Sequence, residues 1–182
     1  MVLMKSRNKL KLGDSPIDFN LISVIGKNYS LKDFEGKPLL IIFMCNHCPY
    51  VKCKLDYINE LAKEYEGRVN IVGINSNDPE YDPEDSYENM KKVAKEKRLI
   101  FFYLVDESQD VAKGYGASCT PDPFLFDKYM KLVYHGRLNN QMEPGEEVKE
   151  HDMKKAFDYV LEDKKIDFEV FPSIGCSIKW KG

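Results

Sequence analysis

Five cysteines and one well-placed histidine carry the chemistry open to this sequence. Cys45 and Cys48 are separated by two residues, Asn46 and His47, and Pro49 follows at once. Proline favours the first position of a helix, which would make Cys48 the cap residue. A sulfur placed there faces unpaired backbone N–H groups and the positive end of the helix dipole, and both favour thiolate over thiol. Cysteines in such settings titrate at roughly 3.5–7.5 rather than about 8.5, and the thiolate is the nucleophile. Cys48 is therefore expected to be the attacking sulfur. Cys45, three residues earlier, is its nearest partner. The plainer reading is that both are small apolar fillers at a strand–helix junction.

The other candidates are weaker. His47 could stabilise the Cys48 thiolate or carry a proton, or simply be a solvated loop side chain. Cys45, Cys48, Cys53 and His47 could form a zinc set. Four-coordinate sites usually bring a second close pair from elsewhere, however, and Cys119 and Cys176 stand singly, so no metal is expected. Haem attachment requires histidine directly after the second cysteine, where Pro49 stands. Cys53 falls between the polar and apolar faces of its helix and is expected to be inert. Cys119-Thr120-Pro121-Asp122-Pro123 reads as a rigid, exposed connection with a cis peptide before Pro121 as one option. The segment around Cys176 either packs on the body through Ile174, Ile178 and Trp180 or brings a third thiol to the site.

These residues need a scaffold. Leu39 to Met44 is apolar on both faces, as in a central strand covered on both sides. Val51, Leu55, Ile58, Ala62 and Tyr65 recur at helical spacing and predict one helix over 49–65. Val69 to Ile74 and Phe101 to Val105 read as further strands, and Ile17 to Ile22 as an edge strand. Asp82-Pro83-Glu84-Asp85 reads as a helix start, with Asp82 as cap and the helix running to about Arg98. Ser108 caps a short helix through Tyr115. Phe124–Phe126 and Lys131–Tyr134 form a hairpin, and Met153, Ala156, Phe157, Val160 and Leu161 form the inner face of a last helix. Strands alternating with helices predict an α/β fold, a three-layer α/β/α sandwich with a central mixed sheet and an N-terminal β extension.

The 182 residues fit a single domain, 1–182, with its core over about 13–164 and an irregular tail over 165–182. Hydrophobic residues make up 43% and charged residues 31%, which is ordinary for a globular chain, and the net charge of −3 argues against a nucleic-acid partner. No apolar run approaches the length of a membrane span, and residues 1–14 lack a secretory apolar core. An odd cysteine count argues against a fully paired disulfide framework, and the expected location is cytoplasmic.

Several stretches resemble one family. Leu31-Lys-Asp-Phe-Glu-Gly-Lys-Pro38, the apolar strand, the thiol, the helix and then Thr120-Pro121 before Phe124-Leu-Phe-Asp127 resemble thioredoxin-fold proteins of the peroxiredoxin and alkyl-hydroperoxide-reductase branch. Phe43-Met-Cys-Asn-His-Cys-Pro-Tyr-Val51, Tyr115-Gly-Ala-Ser-Cys-Thr-Pro-Asp122 and Gly175-Cys-Ser-Ile-Lys-Trp180 are similar to a peroxiredoxin-like, thioredoxin-related group, and the likeness runs from about residue 13 onward. The resemblance implies a thioredoxin-like fold with Thr120-Pro121 as the cis-proline loop lying against the active thiol. Counted from Phe43, Cys48 takes the place of the attacking thiol. The usual resolving position is Val51, and the buried acid of thioredoxins would be Ile42. In the peroxiredoxin frame the peroxide-reacting position is Val51, with Cys48 where that family has threonine and Met44 where it has proline. With Cys48 as the peroxide-reacting residue, those places hold Cys45 and Ile41, so neither frame keeps the peroxidase triad.

The leading expectation is a thiol–disulfide oxidoreductase without a cofactor, in which Cys48 attacks and a second cysteine resolves: Cys45 first, Cys119 second, Cys176 third. Its partners would be protein or small-molecule disulfides or peroxides, with a thioredoxin-type reductant and no membrane. His47, Thr120 and Pro121 would line the binding site. The alternatives are an atypical thiol peroxidase and a non-catalytic binding module.

Overall fold

A computed structural model describes residues 3–7 and 9–182. Ten strands and five α-helices follow one another as β1 (Leu3–Lys5), β2 (Asn20–Ser23), β3 (Asn28–Ser30), β4 (Leu39–Phe43), α1 (Pro49–Lys52), α2 (Leu55–Glu64), β5 (Asn70–Asn75), α3 (Tyr87–Glu96), β6 (Phe102–Val105), α4 (Asp110–Tyr115), β7 (Cys119–Thr120), β8 (Asp122–Phe126), β9 (Leu132–His135), α5 (Asp152–Leu161) and β10 (Ile174–Ser177). Seven strands form the central sheet in the order β3-β2-β6-β5-β4-β8-β9. β4, β5 and β6 run parallel, and β2 and β8 join them antiparallel. β2 lies between β3 and β6, so the edge-strand expectation for Ile17–Ile22 is corrected: β3 takes the edge.

β4 is the centre of gravity. All five of its residues are buried, which stabilises the fold by about 1.5–3 kcal/mol for each large apolar side chain. Alternation along the strand splits them between two cores. Leu40 and Ile42 pack with Leu55, Ile58 and Leu61 of α2 and with Met153, Ala156 and Phe157 of α5. Leu39, Ile41 and Phe43 pack with Val111, Ala112 and Tyr115 of α4 and with Phe34. Tyr115 fills that second core in T-shaped contacts with Phe43 and Phe124, at ring separations of 5.2 and 5.4 Å. A mixed sheet covered by helices on both faces is the three-layer, thioredoxin-like sandwich expected from the sequence.

Three local expectations change. The single helix over 49–65 is two helices, because the chain breaks after Lys52 and the buried Lys54 donates its ammonium to the Gln141 carbonyl. The helix expected to start at Asp82 begins later. Asp82 caps one 3₁₀ turn, Pro83–Asp85, and Ser86 caps α3 by accepting from the Asn89 N–H at 3.4 Å. The tail is not irregular throughout. β10 sits between β1 and β7 in a second, antiparallel three-stranded sheet. Ile178 anchors that segment, whereas Trp180 is 42% exposed and does not.

Candidate active site

The end of β4 delivers Met44 and Cys45 into the core, and a short bend carries the chain to Pro49 at the first position of α1. Cys48 is the residue before that helix, with extended backbone (φ −67°, ψ 120°), and its carbonyl accepts from Val51 N and Lys52 N at 3.1 and 2.9 Å. The expected placement of Cys48 is therefore present, but its sulfur makes no hydrogen bond to the helix backbone. α1 is a single turn of four residues, too short to carry an extended dipole, so the thiolate must draw on other neighbours.

Those neighbours come from three other parts of the chain. The peptide between Thr120 and Pro121 is cis, and the Thr120 carbonyl lies 3.1 Å from Cys48 Sγ, where it accepts from the thiol in its protonated state. Thr120 Oγ1 is 3.3 Å from Cys45 Sγ. Cys176 Sγ lies 3.1 Å from Cys48 Sγ. Hydrogen bonding from Cys45 draws the Cys48 pKa down to about 5, against the upward push of burial and with further help from the Thr120 hydroxyl and from Cys176. The neighbouring thiols move the other way. Burial raises Cys45 well above its ordinary value, with the Cys48 hydrogen bond and the Asp85 charge adding to it. Burial and the bond to Cys48 push Cys176 up to about 12. One thiolate is thus held by two thiols that keep their protons, a charge-assisted arrangement that is self-consistent.

Cys119 is set apart from this cluster. Successive residues of a strand point to opposite faces, and Thr120 already faces Cys45, so Cys119 faces away. Its sulfur points to the Pro121 carbonyl at 3.8 Å, and burial together with the Asp122 charge raises its pKa. The connection it belongs to is not exposed as expected: Cys119 and Thr120 are 0% and 2% exposed, covered by β10. Cys53 is half-buried, its sulfur on the Tyr50 carbonyl at 3.4 Å, and burial raises its pKa.

His47 is not a solvated side chain. Its Nδ1 lies 2.5 Å from Asp85 Oδ2, and that hydrogen bond raises its pKa against the opposing effect of burial. Burial pushes the Asp85 carboxyl up, but bonds from His47, from Asn77 Nδ2 at 2.9 Å and from Asn46 N at 2.6 Å hold it below the usual carboxylate range. On sequence alone Asp85 belongs to a helix start. The compact 3₁₀ turn instead aims its side chain inward, and supplies an acid near the thiols where Ile42 offers none. Cys45, His47 and Asp85 bring ligand atoms within 4.8 Å of one another, a different donor set from the one weighed on the sequence. Here the histidine and the carboxylate are bonded to each other.

The third thiol arrives on β10, whose Cys176 pairs with Thr120 and whose Ser177 pairs with Cys119. Gly175 makes that approach achievable: a Cβ at this position would lie 1.9 Å from the Thr120 carbonyl oxygen. Hydrogen bonds pin the strand at both ends. Ser173 Oγ donates to the Pro121 carbonyl at 2.6 Å, and Gln109 Nε2 donates to the Lys179 carbonyl at 2.8 Å. Lys179 N donates to Asn77 Oδ1 at 2.9 Å. The sequence signal for this strand was the period-two alternation of Ile174, Cys176 and Ile178.

Comparison with known proteins places the fold and the family. The chain is 45% identical to an uncharacterized conserved protein of Geobacillus kaustophilus, whose crystal structure superposes with a TM-score of 0.93 over 100% of this chain and 97% of that one. A hypothetical protein from Sinorhizobium meliloti 1021 gives 39% identity and a TM-score of 0.92 over 97% and 98% of the two chains. The thiol-disulfide oxidoreductase ResA of Geobacillus thermodenitrificans is 26% identical over 148 residues, 80% of this chain and 78% of that protein. The AhpC/TSA family profile matches residues 12–135, from the approach to β2 through β9. With that match taking in the whole thiol-bearing junction of β4 and α1, the chain belongs to the AhpC/TSA family.

Proposed function

We propose that the protein is a thiol–disulfide oxidoreductase in which Cys48 is the attacking sulfur. The carrying observation is the cluster itself: a buried sulfur with its pKa drawn to about 5, in contact with a second thiol at 3.1 Å. In the reductive direction the Cys48 thiolate attacks one sulfur of a substrate disulfide, forms a mixed disulfide and expels the other sulfur as thiolate. A second protein thiol then attacks Cys48, releases the remaining substrate thiolate and leaves an internal disulfide. Two protein thiols are oxidised and one substrate disulfide is reduced. The ResA relatives, thiol-disulfide oxidoreductases by name, support this reading.

Cys45 acts as a donor that steadies the attacking thiolate, and Asp85 orients His47 beside it. The reductant that restores the thiols is a dithiol of the thioredoxin class, and an odd number of cysteines fits a cytoplasmic location. The AhpC/TSA relationship favours peroxide as a second substrate. Attack of Cys48 on a hydroperoxide would give a sulfenic acid and an alcohol, and condensation with a neighbouring thiol would release water.

Turnover of glutathione disulfide and of hydrogen peroxide, each with a dithiol reductant, tests both readings. Disulfide turnover lost in Cys48→Ser supports the oxidoreductase, and unchanged turnover in that variant removes it. Peroxide turnover of comparable rate and equal dependence on Cys48 would make the peroxidase the better description.

A further inference from the structure

We infer that the resolving thiol is Cys176, so that the working redox pair joins the end of β4 to the C-terminal strand β10 rather than closing the Cys45–Cys48 loop. This rests on the oxidoreductase reading of Cys48 and names the partner it leaves open.

The geometry selects Cys176. Its sulfur already stands 3.1 Å from that of Cys48, so a bond of about 2.05 Å requires the two to close by only about 1 Å. The approach is built into the backbone. The antiparallel register sets Cys176 opposite Thr120, whose carbonyl also contacts Cys48, and the missing side chain of Gly175 lets the two strands touch. Cys45 lacks these features as an attacker. Its sulfur is bonded to Thr120 Oγ1, and burial, the Cys48 thiol and the Asp85 charge together keep the proton on it.

The chemistry also orders the steps. Burial and the neighbouring Cys48 thiolate keep Cys176 protonated in the resting state, while Lys179 pulls the other way. Once Cys48 is bonded to a substrate sulfur, its negative charge is gone and Lys179 remains. Cys176 then gives up its proton, its sulfur attacks Cys48 Sγ, and the Cys48–substrate S–S bond breaks. The substrate sulfur leaves with the electron pair and takes a proton. One S–S bond forms as one breaks, so no oxidant beyond the substrate disulfide is needed.

The test uses the full chain, reduced, and glutathione disulfide as the probe, with adducts followed by intact-mass and peptide mass spectrometry. The wild type should pass through a short-lived glutathione adduct on Cys48 to a Cys48–Cys176 disulfide. Cys176→Ser should lengthen the adduct lifetime by about 100-fold or more, as loss of a positioned reactant does. Gly175→Ala keeps every thiol but pushes β10 from β7, and should slow resolution by roughly 10- to 100-fold. Cys45→Ala should still end at the Cys48–Cys176 bond. A Cys45–Cys48 disulfide in the wild type, or resolution in Cys176→Ser at the wild-type rate, overturns the inference and leaves the oxidoreductase standing. Absence of any Cys48 adduct in all variants overturns both.

Discussion

The thiolate at Cys48 has a measurable consequence for titration and for redox potential. Among the five cysteines, four are shifted upward and only Cys48 is shifted downward. Thiolate ultraviolet absorbance of the reduced protein should therefore rise by one thiolate near pH 5 and stay flat until the others begin to titrate. Relative to an ordinary thiol near 8.5, a pKa of about 5 stabilises the reduced form at pH 7 by RT ln 100, about 2.7 kcal/mol. For a two-electron couple that makes the disulfide more oxidising by about 60 mV. The slope follows from proton counting: the potential should fall by about 30 mV per pH unit between Cys48 and the next thiol, and by about 59 mV per unit below pH 5. Cys45→Ala removes the thiol that contributes most to lowering this pKa. A hydrogen bond to a charged group contributes about 1.5–3 kcal/mol, so the step should move up by about 1–2 pH units. A single-thiolate step near pH 8.5 in the wild type, or a step unmoved in Cys45→Ala, refutes the account of how this sulfur is held.

Other expectations are simpler. Asp85→Asn should cost about 2–3 kcal/mol in chemical denaturation, because it takes the partner from His47 and weakens the Asn46 and Asn77 bonds. The folded pKa of His47 is raised, so its share of stability is full below about pH 6.5 and is lost as pH rises through the folded value; Asp85→Asn should remove that part of the pH dependence. Phe124→Ala should cost about 3–5 kcal/mol, measured by denaturant midpoint, because the ring is fully buried against Phe43 and Tyr115. β10 already holds the edge of β7, where an extended peptide would add as a strand, so hydroxyethyl disulfide should be turned over faster than the disulfides of insulin; the reverse order would show that the strand opens readily.

The sequence carried most of the scaffold because its signals were local. The unbroken apolar run of β4 implies burial on both faces, and Pro49 after Cys48 sets where α1 begins. What it left open was long-range. Nothing near Asp85 says that its carboxylate turns inward to His47, since a capped helix start and a capped 3₁₀ turn share the same residues. Nothing near Cys176 says that it meets Cys48. That depends on Thr120, which brings register, and on Gly175, which brings backbone contact. Cys119 is the mirror case: adjacent in sequence to the loop that touches the Cys48 sulfur, it is turned from it by strand alternation.

The distance along the chain between the two contacting sulfurs, 128 residues, also sets an order of events at birth. Cys48 is translated first, and at about 5–20 residues per second β10 follows roughly 6–25 seconds later. Through that interval the nascent chain has β4 and Cys48 but neither the cover of β10 nor Cys176. Until Thr120 and Cys176 arrive, Cys48 lacks two of the neighbours that favour its thiolate, so the lowered pKa belongs to the finished chain and not to the emerging one.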